Sequence, residues 1–207
     1  MAKFPEPPAA KDLAKVSPDP KVLSAGTLLW RLYFRGGRHP NFWNAFRSYG
    51  PTSSRFDHHL PPPRVQTRMV FYCAEQGPTC LAEVFQDTRV IDRTAREPWL
   101  VGFALLREVK ALDMTGSWPT RAGASMAINS GPRPRAQRWS RAIYDAYPDL
   151  QGVYYGSSMY GNRPAVALYE RALAALPSVP AFHRPLADPT LLSVLKHVAL
   201  NIGYGLV

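Results

Sequence analysis

Residues 69–85, MVFYCAEQGPTCLAEVF, constrain the fold most, because this stretch changes from strand-like to helix-like sequence within a few positions. Residues 70–73 form a short apolar run that is rich in β-formers. Gln76-Gly77-Pro78 has the chemistry of a turn, and a proline suits the first turn of a helix. Apolar residues then recur at helical spacing and are expected to pack on the strand: Leu81, Val84 and Phe85. The stretch therefore predicts a strand, a tight loop and a helix.

One carboxylate, Glu83, lies within this otherwise apolar helix. On a helix of 3.6 residues per turn it sits about 200° round from Leu81, and therefore off the apolar stripe. A lone glutamate on a helix is ordinarily a solvated surface residue. The alternative is a functional carboxylate held at a strand–helix corner, and the other motifs of the chain bear on that choice.

The size and charge of the chain indicate one domain with an anionic partner. Its 207 residues are enough for a single domain with a proper core. The net charge of +10 fits nucleic acid, an acidic protein or a phosphorylated small molecule. Much of the basic excess is arginine scattered among aromatic residues and prolines, which favours discrete anion sites over a polybasic tail.

Cysteine and histidine usage gives no sign of a metal site or a disulfide framework. Cys73 and Cys80 have no CxxC partner, so a reducing compartment is the default. His58-His59 lacks an acidic or cysteine partner at ligand spacing. The first residues lack an apolar signal region, and no stretch reaches transmembrane length. We therefore expect a cytoplasmic protein with no membrane partner.

Two irregular regions stand out along the chain. Residues 1–25 are rich in proline and predict an extended arm that lies on the domain or is partly mobile. Residues 26–207 would then form one catalytic domain. Residues 36–63 are rich in Gly, Pro, Asn and Ser, with arginines and aromatics interleaved. A loop of this length in a compact domain is usually functional or disordered, and the aromatic residues argue against disorder.

The other segments are strand-like or helix-like. Apolar and β-forming runs predict strands at 27–34, 89–92, 100–106, 109–112, 152–155 and 165–169. On the first of these, Leu29, Arg31 and Tyr33 would share one face. Helical spacing predicts helices at 138–147 and 189–201, with a short one at 122–128.

Four short motifs, in this order, resemble those of the RES domain, the toxin half of bacterial RES–Xre toxin–antitoxin pairs. WRLY is similar to the family's first arginine motif, and SSRF to its G-R-[WF] motif. FYCAEQGPTCLAEVF is similar to its LY-x-A-x-S-x-x-[TA]-A-x-x-E segment, and LQGVYYGSSM to its L-x-G-[IV]-x-Y-x-S segment. The resemblance covers roughly residues 27–200. Ser54 replaces the family's frequent glycine, and Cys80 stands where a small residue is common.

The resemblance implies an α+β fold of the ADP-ribosyltransferase type, with a mixed β core of short strands flanked by helices. It implies NAD⁺ as substrate, with nicotinamide removed by hydrolysis or phosphorolysis. Phosphate would be a co-substrate in the second case, and no cofactor is needed. A toxin of this kind has a cognate antitoxin of the Xre type, and a homo-oligomer is compatible with the resemblance. A few relatives instead transfer ADP-ribose to proteins, which is the first alternative function.

The residues of the motifs suit this chemistry. Cleavage of the glycosidic bond builds positive charge on the ribose, which a carboxylate such as Glu83 stabilises. Arginines bind a pyrophosphate with bidentate donors, and Arg31 and Arg55 fit that role. The flat nicotinamide cation would stack on Tyr33 or Tyr72.

A turn rich in glycine and serine supplies the remaining candidates. The Ser157 hydroxyl would donate to a phosphate or ribose oxygen, and the Y-x-S spacing favours Ser157 over Ser158 as the family's serine. Ser158 and Asn162 are further candidate substrate-binding residues. A nucleic-acid-binding module is the second alternative, because arginine and aromatic residues interleave in a basic chain. Only residues 133–141 form a dense basic patch, however, so direct binding to nucleic acid is not expected.

Overall fold

The computed structural model describes residues 4–207, which form an α+β fold. The five helices of this part of the chain are α1 Ala10–Leu13, α2 Gly77–Val84, α3 Trp118–Arg121, α4 Arg133–Ala146 and α5 Leu192–Ile202. The strands are β1 Pro20–Leu23, β2 Leu28–Phe34, β3 Arg47–Gly50, β4 Arg64–Ala74, β5 Val90–Ile91, β6 Pro98–Ala104, β7 Val109–Asp113, β8 Gly152–Gly156, β9 Pro164–Tyr169, β10 Phe182–Pro185 and β11 Gly205–Leu206. Short 3₁₀ turns lie at Met126–Ile128, Glu170–Ala175 and Pro189–Leu191.

Nine strands form one mixed sheet. The order is β1-β7-β8-β9-β4-β2-β6-β10, and β3 pairs with β4 beside this path. The β7–β8 pair is parallel, whereas the other pairs of this sheet are antiparallel. β5 and β11 form a separate parallel pair. The predicted mixed core of short strands with flanking helices is therefore confirmed.

The sheet is covered on both faces. The larger apolar cluster joins the sheet to α2, α4 and α5 through buried residues such as Leu81, Trp139 and Leu195. The smaller cluster is built from the opposite side chains of the same strands, including Leu29, Phe71 and Phe103. Because side chains alternate along a strand, each central strand supplies both clusters.

Two predicted helices differ from the structure. The helix predicted at 122–128 is wrong: α3 ends before Ala122, and a 3₁₀ turn follows at Met126–Ile128. Gly123, at φ +84°, takes the left-handed conformation that ends helices. The helix predicted at 138–147 begins five residues earlier, at Arg133, because Pro134 is compatible with the first turn.

The apolar stripe predicted on α2 also needs correction. Leu81 and Phe85 are buried as expected, but Val84 is 37% exposed. Ala82 is fully buried in its place. The helix is thus rotated so that Glu83 and Val84 face an open cleft rather than the core or bulk solvent.

The proline-rich segment lies on the domain and is not wholly extended. It holds the short helix α1 and the strand β1, which pairs with β7 at the edge of the large sheet. Phe4 is buried against Trp139, and the Trp139 Nε1–H donates to the Pro5 carbonyl at 2.9 Å. The first three residues of the predicted arm lie outside the described residues.

None of the helices described between residues 4 and 207 combines the length and the apolar character that crossing a membrane requires.

Candidate active site

A cleft of about 550 Å³ opens where β2, β4 and α2 meet the loop at 53–55 and the start of α4. Its charged lining is mainly cationic: five arginines face two carboxylates. The arginines are Arg31, Arg47, Arg55, Arg96 and Arg133, and the carboxylates are Glu83 and Asp87. Six of the predicted site residues line this cleft: Arg31, Tyr33, Arg55, Tyr72, Glu83 and Ser158.

Glu83 is held by the serine motif. α2 follows directly after β4, and this corner brings the half-buried Glu83 carboxylate to the end of β8. The Ser157 hydroxyl donates to Glu83 Oε1 at 2.5 Å and accepts from the Met159 backbone N–H at 3.2 Å. Burial raises the pKa of Glu83, while the Ser157 hydrogen bond and the charges of Arg55 and Arg133 oppose that rise.

Arg31 is a buried cation without a counter-ion. It is 8% exposed, and within residues 4–207 it makes no hydrogen bond or ion pair, although its guanidinium lies 4.0 Å from the Phe71 ring centroid. Burial lowers its pKa to about 10, so the group stays charged at neutral pH. Because a buried charge is costly unless it is paired, this arrangement indicates a site for an anion.

Arg55 lies on the opposite wall, beside the start of α4. Its Nη1–H donates to the Gly131 carbonyl at 2.5 Å. Burial and then the charge of Arg133 lower its pKa, and the charge of Glu83 acts in the opposite direction. Arg55 and Glu83 thus line the same cleft and interact electrostatically.

Sequence reasoning missed three cleft arginines, Arg47, Arg96 and Arg133. Arg47 sits on β3, inside the region taken for a loop, and its Nη2 lies 2.9 Å from Asp57 Oδ2. No periodicity marks this four-residue strand. Arg133 opens α4 and donates to Gln86 Oε1 at 2.8 Å. The dense basic patch at 133–141 includes Arg133, but a patch of this composition indicates a nucleic-acid surface rather than a cleft residue.

That basic patch is partly neutralised by the N-terminal segment. Arg138 Nε lies 2.5 Å from Glu6 Oε2, and Arg135 Nε lies 3.2 Å from Glu6 Oε1. The Arg135 guanidinium also donates to the Phe4 carbonyl. Two of its arginines are thus engaged within the chain, which weakens the case for a nucleic-acid surface.

The two tyrosines reach the cleft in different states. The Tyr33 hydroxyl is hydrogen-bonded to His183 Nε2 at 2.7 Å, with the two rings stacked. The Tyr72 hydroxyl is enclosed and has no partner within residues 4–207, and burial raises the pKa of Tyr72. Both rings remain candidates for stacking on a flat ligand.

The serine turn separates its three candidates. Ser158 lines the cleft, whereas Ser157 is fully buried behind it with its hydroxyl on Glu83. Asn162 is exposed at φ +57°, outside the cleft lining, and its backbone N–H donates to the Ser157 carbonyl at 3.0 Å. Asn162 therefore shapes the turn and does not contact the cleft.

The adjacent histidines are fully buried in the interior. His59 Nδ1 donates to Asp57 Oδ1 at 2.5 Å, and the His58 ring stacks on Tyr144. Burial, with the charge of His59, lowers the pKa of His58 to about 3. In the part of the chain that the structure describes, no group of three or more His, Cys, Asp or Glu side chains could hold a metal ion.

Replacing each serine separately distinguishes their roles. Ser157→Ala removes the only side-chain hydroxyl found on Glu83 among residues 4–207, and we expect turnover of the substrate to fall by about tenfold or more. Ser158→Ala should mainly raise KM, because Ser158 lines the cleft without touching Glu83. Steady-state kinetics of both variants test this. A larger loss of kcat in Ser158→Ala would reverse the two roles.

Comparisons with known proteins confirm the family that the sequence motifs resemble. A family model described as the RES domain matches residues 28–188. The fold is similar to that of a chain in the crystal structure of the M. tuberculosis MbcT–MbcA toxin–antitoxin complex, with a TM-score of 0.57 and 14% sequence identity. That alignment covers 91% of this chain and 96% of the other. No curated protein matches the sequence significantly.

Proposed function

Because the chain belongs to the RES domain family, we propose that it is a toxin-type enzyme that cleaves NAD⁺ at the bond between nicotinamide and ribose. The observation that carries this proposal is the half-buried Glu83 carboxylate in a cleft lined by five arginines, one of which, Arg31, has no counter-ion among the described residues. An anionic molecule that develops positive charge at one atom fits this arrangement.

In the proposed reaction, the bond between the nicotinamide nitrogen and the ribose C1′ breaks, and its electron pair leaves with nicotinamide. The ribose becomes oxocarbenium-like, and the Glu83 carboxylate stabilises that charge and accepts a hydrogen bond from a ribose hydroxyl. Ser157 holds one carboxylate oxygen, which leaves the other free for the substrate. An oxygen of water or of phosphate then bonds to C1′, and a proton is released.

The arginines form two pairs, which supports phosphate as a co-substrate. All four line the cleft, and the charge of Arg47 contributes to lowering the pKa of Arg31, as that of Arg133 does for Arg55. One pair suffices for a pyrophosphate. The second pair is then available for an attacking phosphate, and phosphorolysis becomes a specific alternative to hydrolysis.

The proposed partner is an antitoxin that closes the cleft. A similarly folded chain comes from a toxin–antitoxin complex, and here the cleft rim is cationic. An acidic segment of an Xre-type antitoxin would complement it. We propose that the enzyme acts in the cytoplasm, where NAD⁺ is its target.

Incubation of the purified protein with NAD⁺ tests the function. We expect stoichiometric release of nicotinamide, detected by chromatography, with ADP-ribose as co-product in phosphate-free buffer if water is the acceptor. A phosphorylated ADP-ribose that forms only with added phosphate identifies phosphorolysis. In cells, expression of the protein alone should deplete NAD⁺ and stop growth. Intact NAD⁺ after incubation with folded protein in both buffers would contradict the proposal.

Protein ADP-ribosylation is the alternative reaction at the same carboxylate. It would leave label from NAD⁺ on a protein, whereas the proposed reaction consumes NAD⁺ without any protein acceptor. The same incubation, with labelled NAD⁺ and a cell extract, separates the two.

A further inference from the structure

Behind the cleft, one buried carboxylate contacts Arg47 of the first pair and Thr52, which precedes the loop that carries Arg55. We propose that Asp57 is a positioning residue that holds Arg47 and the loop carrying Arg55 in the arrangement that binds anions. Asp57 does not line the cleft, and it would act only through these neighbours. That the anion is a dinucleotide rests on the proposed function, whereas the positioning role does not.

Asp57 is fully buried and accepts five hydrogen bonds. Its Oδ2 accepts from Arg47 Nη2 at 2.9 Å and from the backbone N–H and hydroxyl of Thr52 at 2.7 and 3.0 Å. Its Oδ1 accepts from Nδ1 and the backbone N–H of His59 at 2.5 and 3.2 Å. Such a set compensates an ionised carboxylate for the water it has lost, and it fixes three chain segments against one another.

The contacts on Oδ2 lead directly to the cleft. Arg47 lines the cleft, as Arg31 does. Without a partner, its long flexible side chain would move among many positions. The ion pair with Asp57 restrains Nη2 of the guanidinium, whose Nη1 also donates to the Tyr49 carbonyl. Because binding is weakened by every side chain that must be ordered, a guanidinium already held in place binds an anion better than a mobile one.

The contacts with Thr52 set the second pair. Thr52 directly precedes the loop at 53–55, whose last residue is Arg55. On its other side, Gln137 of α4 donates to the Thr52 and Ser54 carbonyls at 2.7 and 2.9 Å. The loop is thus clamped between Asp57 and α4, and Arg55 extends from it to the Gly131 carbonyl. Loss of the Asp57 clamp should therefore weaken anion binding at both pairs together.

Asp57→Asn tests the role with the least change of shape. The amide oxygen can replace only one of the two carboxylate oxygens, so an NH2 group then faces donors of Arg47 and Thr52 or donors of His59, and the charge that pairs with Arg47 is lost. We expect KM for NAD⁺ and Kd for ADP-ribose, measured by calorimetry on folded protein, to rise about tenfold or more, with kcat changed less than about threefold. The matched control is Asp145→Asn: Asp145 pairs with Arg68 at 2.7 Å outside the cleft, and its loss should leave both constants unchanged.

If the role of Asp57 were purely structural, Asp57→Asn would lower the stability of the protein but leave the affinity of the folded protein for ADP-ribose unchanged. Breaking a buried ion pair is strongly destabilising. If Asp57→Asn does not fold, Thr52→Val takes its place in the experiment. That variant removes the hydroxyl that donates to Asp57 Oδ2 at 3.0 Å, together with its weaker contacts with Ser54 at 3.3 and 3.4 Å, and we expect Kd to rise about threefold. An unchanged Kd in the folded variant overturns the proposal.

A double-mutant cycle tests whether Asp57 acts through Arg47. If it does, Asp57→Asn combined with Arg47→Gln should bind ADP-ribose no more than about twofold worse than Asp57→Asn alone. If the two substitutions instead multiply each other's effect on the Kd for ADP-ribose, the proposal is overturned. If wild type neither cleaves NAD⁺ nor binds ADP-ribose, the proposed function fails instead. The same variants are then compared with inorganic pyrophosphate as probe, and equal affinities for wild type and Asp57→Asn would overturn the positioning role by itself.

Discussion

Replacement of Glu83 by glutamine is expected to lower kcat for NAD⁺ cleavage by about 10²-fold or more without loss of the fold. The amide keeps the shape of the side chain and its carbonyl oxygen can still accept from Ser157, but it carries no charge to stabilise the ribose cation. Since burial raises the pKa of Glu83, ionised Glu83 disfavours the folded state above that pKa. The variant should therefore be at least as stable as wild type at neutral pH, as thermal unfolding would show.

The acid limb of the pH profile gives a second readout of Glu83. Wild-type kcat/KM should fall as pH drops through a value above the ordinary 4.5, because the protonated acid cannot stabilise the cation. The residual activity of Glu83→Gln should lack this limb. Asp87→Asn is the matched control, since Asp87 lines the same cleft, and its kcat should stay within about threefold of wild type. A glutamine variant with wild-type kcat would rule out this role for Glu83.

Arg31→Lys and Arg55→Lys are each expected to lower kcat/KM by at least about tenfold, roughly 1.4 kcal/mol. Lysine keeps the charge but loses the planar fork that binds phosphate oxygens in pairs. Arg31→Lys should have the larger effect, because among residues 4–207 no carboxylate pairs with Arg31 and its buried Nε makes no hydrogen bond. Steady-state kinetics with NAD⁺ measure both.

The control for the arginines is Arg38→Lys, at an exposed position outside the cleft, where only a small change is expected. Arg47 cannot serve as a control, although it lies in the same irregular region, because it lines the cleft. Equal losses at Arg31, Arg55 and Arg38 would indicate general attraction of an anion, which high salt should then weaken in wild type as well.

The parts of the site that are local in sequence could be predicted, and the parts that depend on distant pairing could not. The corner that carries Glu83 is encoded in seventeen consecutive residues, 69–85, where apolar spacing and turn chemistry agree. Arg31 and Tyr33 follow from simple alternation along β2, and both line the cleft. The α+β fold was likewise predictable from family motifs that lie in order along the chain.

Arg47 and Asp57 were hidden because their partners are set by tertiary structure. β3 is four residues long and pairs with β4 through an irregular register. The alternation of apolar and polar residues therefore does not reveal this strand in the sequence. Burial of Asp57 depends on Arg47, Thr52 and His59 converging on it, which a charged residue in a polar loop does not reveal. The prediction for Val84 was wrong for a related reason. The spacing of apolar residues assigns Val84 to the core face of α2, but Val84 lines the cleft.

The attachment of the N-terminal segment to α4 has a consequence for the order in which the chain acquires its structure. Phe4, Pro5 and Glu6 find their partners about 130 residues later, on Arg135, Arg138 and Trp139. During synthesis this segment is made well before α4, so these contacts cannot form until the ribosome has released α4. Its prolines suit that interval, because they cannot donate to a neighbouring strand and resist premature helix formation. This segment is thus attached only after α4, the helix that begins at the cleft, has been made.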